Sequence, residues 1–474
     1  MMPTKNNSIL WMTLALWLLL LVPWVFTQGI FVDGLYYGTI ARNWYFEGTG
    51  TWNFYLSKTQ FQPFYSHPPL AFWLQGAVFS IVGDVWYCDR LYSALMCIAT
   101  GSAIFGIWSL FYRKQNVWLP LLCWLLIPTV LWSYSNNILE NTLTAACTWA
   151  VYWALSAVKQ EKYGYLRLVA AGIFTFLGLM TTGPAAAFPL ALPFLYFLCY
   201  RQKVSLMLIF SLLLPTITVF LCFGLLLFFD TEAAAYFQVY WQIQVLGSLS
   251  NRSASIGSHF FILYKLLEEL LILSLLVVAL LLYQNRRNNF RQAIQFFHNK
   301  QALLFLLIAL SASLPILISP KQMGFYLLPS TPFWALATAS LFHQNIKQLL
   351  AKQYLAIQKL STIVTLFLFL TTLILSIFNY RSGYARDKAL LLAIDNIIEK
   401  VPERQQLDMS YSLYEEWILY GYFYRSAYIS LEATATPLGN YYLLKKGEKI
   451  KLIGYEELEL NASGAAIFRL YQKK

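Results

Sequence analysis

Long apolar runs separated by short polar loops make up most of the chain before position 380. The first run extends from about Ser8 to Gln28 and does not end in a small-residue cleavage site, which indicates a retained helix rather than a signal peptide. Similar runs follow at about 92–111, 117–133, 140–158, 166–182, 185–199, 204–229, 264–283, 302–319, 324–342 and 361–379. Runs of about this length cross a bilayer as helices, so the pattern predicts about eleven transmembrane helices.

The first of three longer segments lies between the first two apolar runs, at about 29–90. From Asp33 to Trp44 its apolar residues recur at helical spacing, and the Pro68-Pro69 step precedes a second helical stretch from Leu70 to Val82. Both stretches are too polar or too short to span a bilayer. They therefore predict two helices that lie in the membrane interface.

A second long segment covers about 230–263, and the third is the tail, 382–474. In the tail the continuous apolar pattern stops: a helical pattern covers 387–401, and alternating patterns typical of short strands occur at 440–443, 450–453 and 466–471. The expected fold is an all-α polytopic membrane protein with a small C-terminal α/β domain. The predicted boundary separates a membrane domain, 1–381, from a soluble domain, 382–474.

The basic residues define the expected orientation. The chain is 58% hydrophobic and only 12% charged, with a mean hydropathy of +0.54 and a net charge of +12. Placing the N-terminus in the cytoplasm puts the following cations there: Arg113, Lys114, Lys159, Lys162, Arg167, Arg201, Lys203, Arg286, Arg287, Arg291, Lys300, Lys347, Lys352 and Lys359. The three long segments then face outward. Membrane topology thus explains the positive charge, and nucleic acid is excluded as a partner.

Two acidic residues on the predicted outer side are candidates for catalysis. Asp33 follows the first membrane helix, where it is an N-cap, a general base that accepts the proton of an attacking hydroxyl, or both. Glu140 begins the fourth helix, beside Asn136, Asn137 and Asn141. It either complements the helix dipole or belongs to the site, because acids inside a membrane are costly unless they function.

Scarce cations and several aromatic residues on the same side are candidates for binding. Cations at an outer interface can stabilise a phosphate leaving group, or they can simply anchor lipid headgroups; they are Arg42, His67, Arg90, Arg252 and Lys321. Aromatic side chains can stack on a sugar or a polyprenyl chain, or form the interfacial belt; they are Tyr36, Tyr37, Tyr65, Trp73 and Tyr326. Asn137, next to Glu140, is a further binding candidate.

The order of these motifs resembles the GT-C-type family that includes lipid A aminoarabinose transferases and protein O-mannosyltransferases. The matching stretches, in order, are Asp33, Tyr36–Arg42, Tyr65-Ser66-His67-Pro68-Pro69-Leu70, Arg90-Leu91-Tyr92-Ser93-Ala94-Leu95, Asn137–Asn141, Thr182-Gly183-Pro184, Tyr240–Arg252, Pro320-Lys321-Gln322 and Tyr326-Leu327-Leu328-Pro329. The resemblance implies a GT-C-like fold and a polyprenyl-phosphate-linked sugar donor. By position it implies that Asp33 is the essential acid and that His67, Arg252 and Lys321 hold the carrier phosphate.

Three departures separate this chain from its relatives. Many of them have an Asp-Glu pair where Asp33-Gly34 stands here, aminoarabinose transferases have Glu-Lys-Pro-Pro in place of Ser66–Pro69, and Thr182 occupies the position of a frequent lysine. The loss of both lysines argues against the aminoarabinose reaction itself.

We therefore expect a glycosyltransferase of the bacterial inner membrane, acting on the periplasmic side and transferring a hexose or pentose, with inversion, from a polyprenyl phosphate. The acceptor, whether lipopolysaccharide, lipid A, another glycan or lipid, or a protein, stays open. The sequence indicates no certain cofactor, and it leaves open a divalent metal ion. The alternative is a transporter or a flippase of lipid-linked sugars, although the chain shows no repeated halves.

Overall fold

The computed structural model describes residues 7–159, 163–200, 206–247, 260–286, 299–319, 321–352, 354–448, 450 and 452–474. The helices are α1 Asn7–Val25, α2 Val32–Glu47, α3 Leu70–Val82, α4 Cys88–Tyr112, α5 Trp118–Leu125, α6 Pro128–Tyr134, α7 Leu139–Lys159, α8 Gly164–Thr182, α9 Leu192–Tyr200, α10 Leu206–Phe229, α11 Thr231–Tyr240, α12 Phe261–Glu269, α13 Leu271–Arg286, α14 Lys300–Ser313, α15 Thr331–Lys352, α16 Tyr354–Ser382, α17 Lys388–Ile398, α18 Trp417–Ala427 and α19 Ala462–Ile467. Three 3-10 helices, Gly183–Ala191, Leu314–Ile318 and Gly324–Ser330, and a π-helical turn, Trp241–Leu246, extend neighbouring helices.

Two compact units contain these elements. The first unit comprises Met1–Val25, Ser66–Leu70 and Ser93–Ile377, and the second comprises Phe26–Tyr65, Ala71–Tyr92 and Phe378–Lys474. The second unit thus groups the tail with most of the long segment at about 29–90. The boundary predicted at position 382 coincides with the end of α16 and stays a prediction.

Within the described ranges, six stretches of helix are long and apolar enough to cross a membrane: Ser8–Val25, Cys88–Tyr112, Gly164–Tyr200, Ile209–Phe229, Lys300–Ile318 and Ala356–Tyr380. The chain is therefore a multi-pass membrane protein, as predicted, while the number of spans, about eleven, stays a prediction. One predicted run, 117–133, is interrupted between α5 and α6. Ile127 is extended there (φ −87°, ψ 115°), because a residue before proline avoids the helical conformation.

Close helix packing organises the first unit. The buried core includes Trp108, Trp124 and Phe305, and the Trp124 indole donates a 2.9 Å hydrogen bond to the Thr331 hydroxyl. Where α8 meets α10, Gly172 has no room for a side chain, since a Cβ would lie 2.7 Å from the Pro215 carbonyl oxygen. Small residues allow membrane helices to approach in this way. This contact fixes the spacing of α8 and α10.

The tail forms a five-stranded mixed sheet in the second unit. Its strands are β1 Gln406–Met409, β2 Ser430–Ala433, β3 Tyr441–Lys445, β4 Tyr455–Leu458 and β5 Phe468–Lys473, in the order β2-β1-β3-β5-β4. β1 pairs in parallel with β2 and β3, whereas β5 pairs antiparallel with β3 and β4. The α/β prediction for the tail is confirmed.

The prediction of a strand at 450–453 in the tail is wrong. The alternating residues 450–453 are not in a strand among the described positions; they precede a turn at Gly454, whose φ is +81°. The left-handed backbone at this glycine turns the chain before β4 begins, so the alternation there does not face a partner strand. β1, β2 and β4 lay outside the predicted strands.

The segment between α1 and α4 packs on the tail inside the second unit. The Gln28 N–H donates to the Gly383 carbonyl at 2.9 Å, and the Ala385 N–H donates to the Gln28 carbonyl at 2.8 Å. Helix α2 lies against α18. At Gly421 of α18 a Cβ would be 2.6 Å from Leu35 Cδ2, so the present packing of Leu35 requires a residue without a side chain here.

Candidate active site

Asp33 lies in the first turn of α2 and is half-buried. The N-cap is Phe31, which makes no side-chain capping bond, so Asp33 complements the helix dipole without being the cap. Its carboxylate makes no hydrogen bond or ion pair with any described residue. Burial raises the pKa of Asp33 above the ordinary value of 3.8. Such a carboxylate is a better proton acceptor than an exposed one.

Hydrogen bonds to the tail hold α2 and the residues just before it. Tyr36, one turn after Asp33, is buried, and its hydroxyl donates a 2.6 Å hydrogen bond to the Trp417 carbonyl. Near the start of α2, the Ile30 N–H donates to the Tyr422 hydroxyl at 3.1 Å. Tyr37, by contrast, faces α3, with its ring 6.0 Å from that of Phe72. The tail thus fixes the helix that carries Asp33.

Arg42 is buried and belongs to an ion cluster in the second unit that centres on the more exposed Asp84. Its guanidinium pairs with Asp84 at 2.8 Å, donates to the Tyr424 carbonyl at 3.0 Å, and lies 3.6 Å from the Tyr428 ring centroid. Arg425 binds the other Asp84 oxygen at 2.7 Å. These partners occupy the Arg42 side chain within the protein, and its predicted role at the carrier phosphate stays a prediction.

Arg90 is also buried and has internal partners. Its guanidinium donates to the backbone carbonyls of Thr27 and Gly29, in the segment that joins α1 to α2. The preceding residue, Asp89, is buried, accepts from Gln75 at 3.1 Å and lies 3.6 Å from Arg425. Arg90 therefore braces the chain just before Asp33. Tyr65, in the same unit, is half-buried.

His67 belongs to the first unit. Its backbone carbonyl accepts a 2.6 Å hydrogen bond from the hydroxyl of Tyr236, a buried residue of α11. Burial lowers the pKa of the imidazole to about 4. At neutral pH His67 is therefore uncharged before a ligand binds, and it offers a phosphate an N–H donor rather than a positive charge.

A second tyrosine of α11 contacts the Thr182-Gly183-Pro184 stretch. The Tyr240 hydroxyl donates a 3.5 Å hydrogen bond to the Thr182 carbonyl, and burial raises the Tyr240 pKa to about 12. Gly183 has a φ of +75°, and a side chain there would collide with the Tyr240 hydroxyl. Tyr236 and Tyr240 are four residues apart and share one helix face. This face of α11 brings together two motifs, His67 and Gly183, that are distant in sequence.

An apolar cavity of about 620 Å³ lies in the first unit where α8 and α10 meet α11 and the π-helical turn. Its size is typical of ligand pockets, and π-helical turns are frequent at functional sites. Tyr240 and two glutamines are its polar contributors among the described residues. The lining is Leu179, Gly183, Pro184, Phe223, Leu227, Ala234, Phe237, Gln238, Tyr240, Trp241, Gln242 and Leu246. The sequence analysis did not predict this cavity, although two of the stretches that carry the family resemblance, Thr182-Gly183-Pro184 and Tyr240–Arg252, contribute residues to its lining.

Glu140 and Asn137 lie at the start of α7 in the first unit. Asn137 is buried and has a φ of +52°, a conformation that asparagine tolerates. Glu140 is half-buried in the first turn. The next residue, Asn141, is fully buried and donates to the Ser93 hydroxyl at 2.7 Å. Polar side chains therefore fix the entry into α7, and the functional role of Glu140 stays a prediction.

Two of the later candidates also lie in the first unit. Tyr326 is half-buried in the 3-10 helix Gly324–Ser330, which packs against α6 and α7 and so lies near the start of the Glu140 helix. Lys321 is exposed, and its ammonium group forms no ion pair with a described residue. Arg252 lies outside the described residues.

Within the described ranges no three His, Cys, Asp or Glu side chains converge to hold a metal ion.

The fold and the sequence now define a class. Residues 66–228 match the family model described as dolichyl-phosphate-mannose-protein mannosyltransferase, over about one third of the chain. The arrangement of membrane helices with a small C-terminal sheet is the GT-C fold of the ArnT type. The predicted resemblance to the family of aminoarabinose and mannosyl transferases is thereby confirmed.

Two particular solved structures illustrate this likeness. ArnT from Cupriavidus metallidurans, bound to undecaprenyl phosphate, has a TM-score of 0.61 at 14% identity, covering 94% of this chain and 94% of that one. The archaeal oligosaccharyltransferase AglB from Archaeoglobus fulgidus, in complex with an inhibitory peptide and a dolichol-phosphate, has a TM-score of 0.53 at 12% identity, covering 92% of this chain and 69% of that one. No curated protein is significantly similar in sequence.

Proposed function

We propose that this protein is a glycosyltransferase that moves one sugar from a polyprenyl-phosphate carrier to an acceptor hydroxyl. The observation that supports this most strongly is the half-buried Asp33 carboxylate. It has no hydrogen-bond or ion-pair partner among the described residues and is held on a helix that the tail fixes in place. A structural carboxylate in such surroundings would normally be paired, because burying an unpaired charge is costly.

Asp33 acts as the general base in this proposal. It accepts the proton of the acceptor hydroxyl as the oxygen attacks the anomeric carbon, and the bond from that carbon to the phosphate oxygen breaks. Polyprenyl phosphate leaves with the electron pair of that bond. A single direct displacement inverts the anomeric configuration. Glu140 is the second candidate for this acid site.

The apolar cavity supports a lipid-linked donor. It lies between two membrane-spanning helices and a helical outer segment, and its lining carries no charged residue among those described. A polyprenyl chain requires such a lining, because each buried methylene contributes about 0.8 kcal/mol of transfer free energy. We assign the phosphate end to the neighbourhood of His67 and Thr182, which contact the face of α11 next to this cavity. Arg252 and Lys321 are the proposed cationic partners.

The proposed location is the bacterial inner membrane, with the N-terminus in the cytoplasm and the second unit in the periplasm. The acceptor is then a component of the envelope, either a glycan such as lipopolysaccharide, a lipid or a protein. Comparing envelope glycolipids and glycoproteins by mass spectrometry, with and without the gene, identifies it. A missing sugar on one component is the expected result.

Reconstitution in liposomes tests the reaction class. With undecaprenyl-phosphate hexoses as donors and an envelope extract as acceptor, we expect free undecaprenyl phosphate to appear in step with labelled sugar on the acceptor. A transporter or flippase would instead move the intact donor across the bilayer without breaking a bond. Flux without release of undecaprenyl phosphate would therefore overturn the proposal.

Filling the cavity tests the donor site. Ala234 lines the cavity, whereas its neighbour Ala235 is exposed and does not. Ala234→Phe is expected to lower kcat/KM by about tenfold or more for a long-chain donor and much less for a donor with one or two isoprene units, since the loss of about 1.4 kcal/mol of binding is tenfold. Ala235→Phe, the matched control, leaves both values unchanged. Equal effects on long and short donors would contradict a lipid-binding cavity.

A further inference from the structure

Three large aromatic side chains form an exposed cluster on the second unit, here called the aromatic platform: Phe61, Tyr414 and Trp417. Each is about 40% exposed. The Trp417 ring is 6.0 Å from that of Tyr414 and 6.2 Å from that of Phe61. Contiguous apolar surface of this kind on a folded unit marks a binding site more often than chance exposure.

Phe61 reaches the platform from a strained backbone. Its φ is +50°, in the left-handed region that a bulky side chain rarely adopts. Such conformations persist where the surrounding structure enforces them, and they cluster at functional sites. The ring of Phe61 also lies 6.0 Å from that of Tyr36. The exposed ring of Phe61 is thus held beside Trp417 by a backbone conformation that is unfavourable for phenylalanine.

The platform is continuous with the helix that carries the proposed base. Tyr36 contacts Phe61 through its ring and the Trp417 carbonyl through its hydroxyl, and it lies three residues after Asp33. Residues three apart on a helix share a face. Asp33 therefore lies about one helical turn from the residue on which the platform rests.

The charges near the platform favour a carbohydrate over a lipid headgroup. Glu415 and Glu416, both exposed, separate Tyr414 from Trp417 in the sequence, and Lys445 is paired with Glu416 at 3.2 Å. Carboxylates accept hydrogen bonds from sugar hydroxyls but repel anionic headgroups. The C–H face of a pyranose is apolar and slightly positive, and it complements the negative face of an aromatic ring.

We propose that the aromatic platform binds a pyranose ring of the acceptor, so that the acceptor is a glycan. The acceptor role rests on the proposed function, whereas sugar binding at the platform does not. In this arrangement Trp417 supplies the main stacking surface, with Phe61 and Tyr414 beside it. The glycan is thereby held next to the helix of Asp33, with a neighbouring hydroxyl available for transfer.

Hydroxyl-radical footprinting of the full chain in lipid nanodiscs tests binding residue by residue. The probes are maltotriose, mannobiose, galactobiose and chitobiose, added without donor. We expect Trp417 and Tyr414 to be oxidised readily in the free protein and to be protected by at least one saccharide. Tyr45 of α2, 41% exposed and outside the platform, is the internal control and keeps its oxidation rate.

Two results of this footprinting overturn the proposal. Protection of Trp417 and Tyr414 in nanodiscs before any saccharide is added, with exposure in detergent-free amphipol, would assign the platform to the lipid surface. Protection by none of the four saccharides would remove the carbohydrate site. Neither result bears on the transfer reaction, so failure of this proposal is distinct from failure of the proposed function.

Transfer kinetics test the acceptor role. Trp417→Ala and Phe61→Ala are each expected to raise the KM for a glycan acceptor about threefold to tenfold, the effect of losing one aromatic contact, while the KM for the donor stays the same. Tyr45→Ala is the matched control and changes neither value. If saccharides protect the platform in the wild type but the acceptor KM of Trp417→Ala is unchanged, the platform binds a sugar that is not the acceptor. That result would overturn the acceptor assignment.

Discussion

The hydroxyl of Tyr36 donates a 2.6 Å hydrogen bond to the carbonyl of Trp417, a residue 381 positions later in the chain. Tyr36 belongs to the helix of Asp33, and Trp417 begins the tail helix α18. The tail is therefore part of the structure that positions the proposed base. If Asp33 is the base, the tail domain therefore contributes to the reaction by holding its helix.

The contact between Gly421 of α18 and Leu35 of α2 provides the first prediction. Gly421→Ala places a methyl group 2.6 Å from Leu35 Cδ2, so the buried Leu35 side chain or the two helices must shift. We expect a lower melting temperature, since overpacking costs about 1–3 kcal/mol, and a kcat at least tenfold lower, because a displacement of about 1 Å can cost a hundredfold in rate. Thermal unfolding in detergent and steady-state transfer measure the two effects.

Gly224→Ala is the matched control for this change. Gly224 lies in a helix, and an added Cβ would meet nothing within 4 Å. Its stability should change by less than about 1 kcal/mol, in the stabilising direction. A Gly421→Ala protein with wild-type kcat and melting temperature would show that α18 does not position α2.

The ion cluster provides the second prediction. In Asp84→Ala the guanidinium groups of Arg42 and Arg425, whose side chains are 3% and 11% exposed, lose their shared carboxylate. The Asp84 side chain is itself 30% exposed, so water can partly replace it, and we expect a loss of about 1–3 kcal/mol and a melting temperature lower by a few degrees. The double variant Arg42→Ala/Asp84→Ala should lose less than the sum of the two single losses.

An exposed ion pair serves as the comparison. Glu268 pairs with Lys265 at 2.6 Å at the surface, and Glu268→Ala should change stability by less than about 1 kcal/mol. Strict additivity of the Arg42 and Asp84 losses would show that the two residues do not stabilise the protein through each other.

The lowered pKa of the His67 imidazole provides the third prediction. Because its pKa is lowered to about 4 in the folded protein, the unfolded chain binds more protons between about pH 6.5 and pH 4. The stability that neutral His67 contributes is thus fully present above pH 6.5 and is lost as the pH falls toward 4, by an amount on the order of 2–3 kcal/mol. Melting temperatures of wild type and His67→Gln across this range measure it.

We expect the His67→Gln protein to lose less stability on acidification than the wild type does. Parallel pH curves for the two proteins would show that His67 is not buried in its neutral form. The same comparison also bears on the donor site, since a neutral imidazole binds phosphate as a hydrogen-bond donor.

Regular patterns in the sequence predicted much of the fold. The helix at Leu70–Val82 has the predicted bounds, and α2, α4, α17, β3 and β5 lie within a few residues of their predictions. These elements each have one apolar face or one continuous apolar run, and those periods are visible in a single sequence. The family resemblance was confirmed by a different kind of evidence, the family model over residues 66–228 and the shared fold.

The failures have physical causes. All residues from Leu419 to Tyr424 in α18 are buried, so this helix has no polar face that would reveal its period. The cluster around Arg42 depends on Asp84 and Arg425, 42 and 383 positions away, and no local pattern predicts such partners. Because a scarce cation on the outer side has the same signature whether it binds a ligand or an internal carboxylate, the sequence did not separate these two roles.

The protonation of Asp33 links the structure to the rate. Since burial raises its pKa above 3.8, the acidic limb of the pH profile of kcat/KM should have its midpoint above that value, with activity rising as the carboxylate ionises. Initial rates from pH 4 to 8 in proteoliposomes measure this limb. A profile that is flat through the acidic range would argue against a carboxylate base.

The most direct test of the proposed reaction is the turnover of Asp33→Asn with an undecaprenyl-phosphate sugar in liposomes. Asparagine keeps the shape of the side chain but does not accept the proton, so we predict a kcat lower by about 10²- to 10⁴-fold in a protein with the wild-type melting temperature and unchanged donor binding. Near-normal turnover by the folded variant would contradict the assignment of Asp33 as the base.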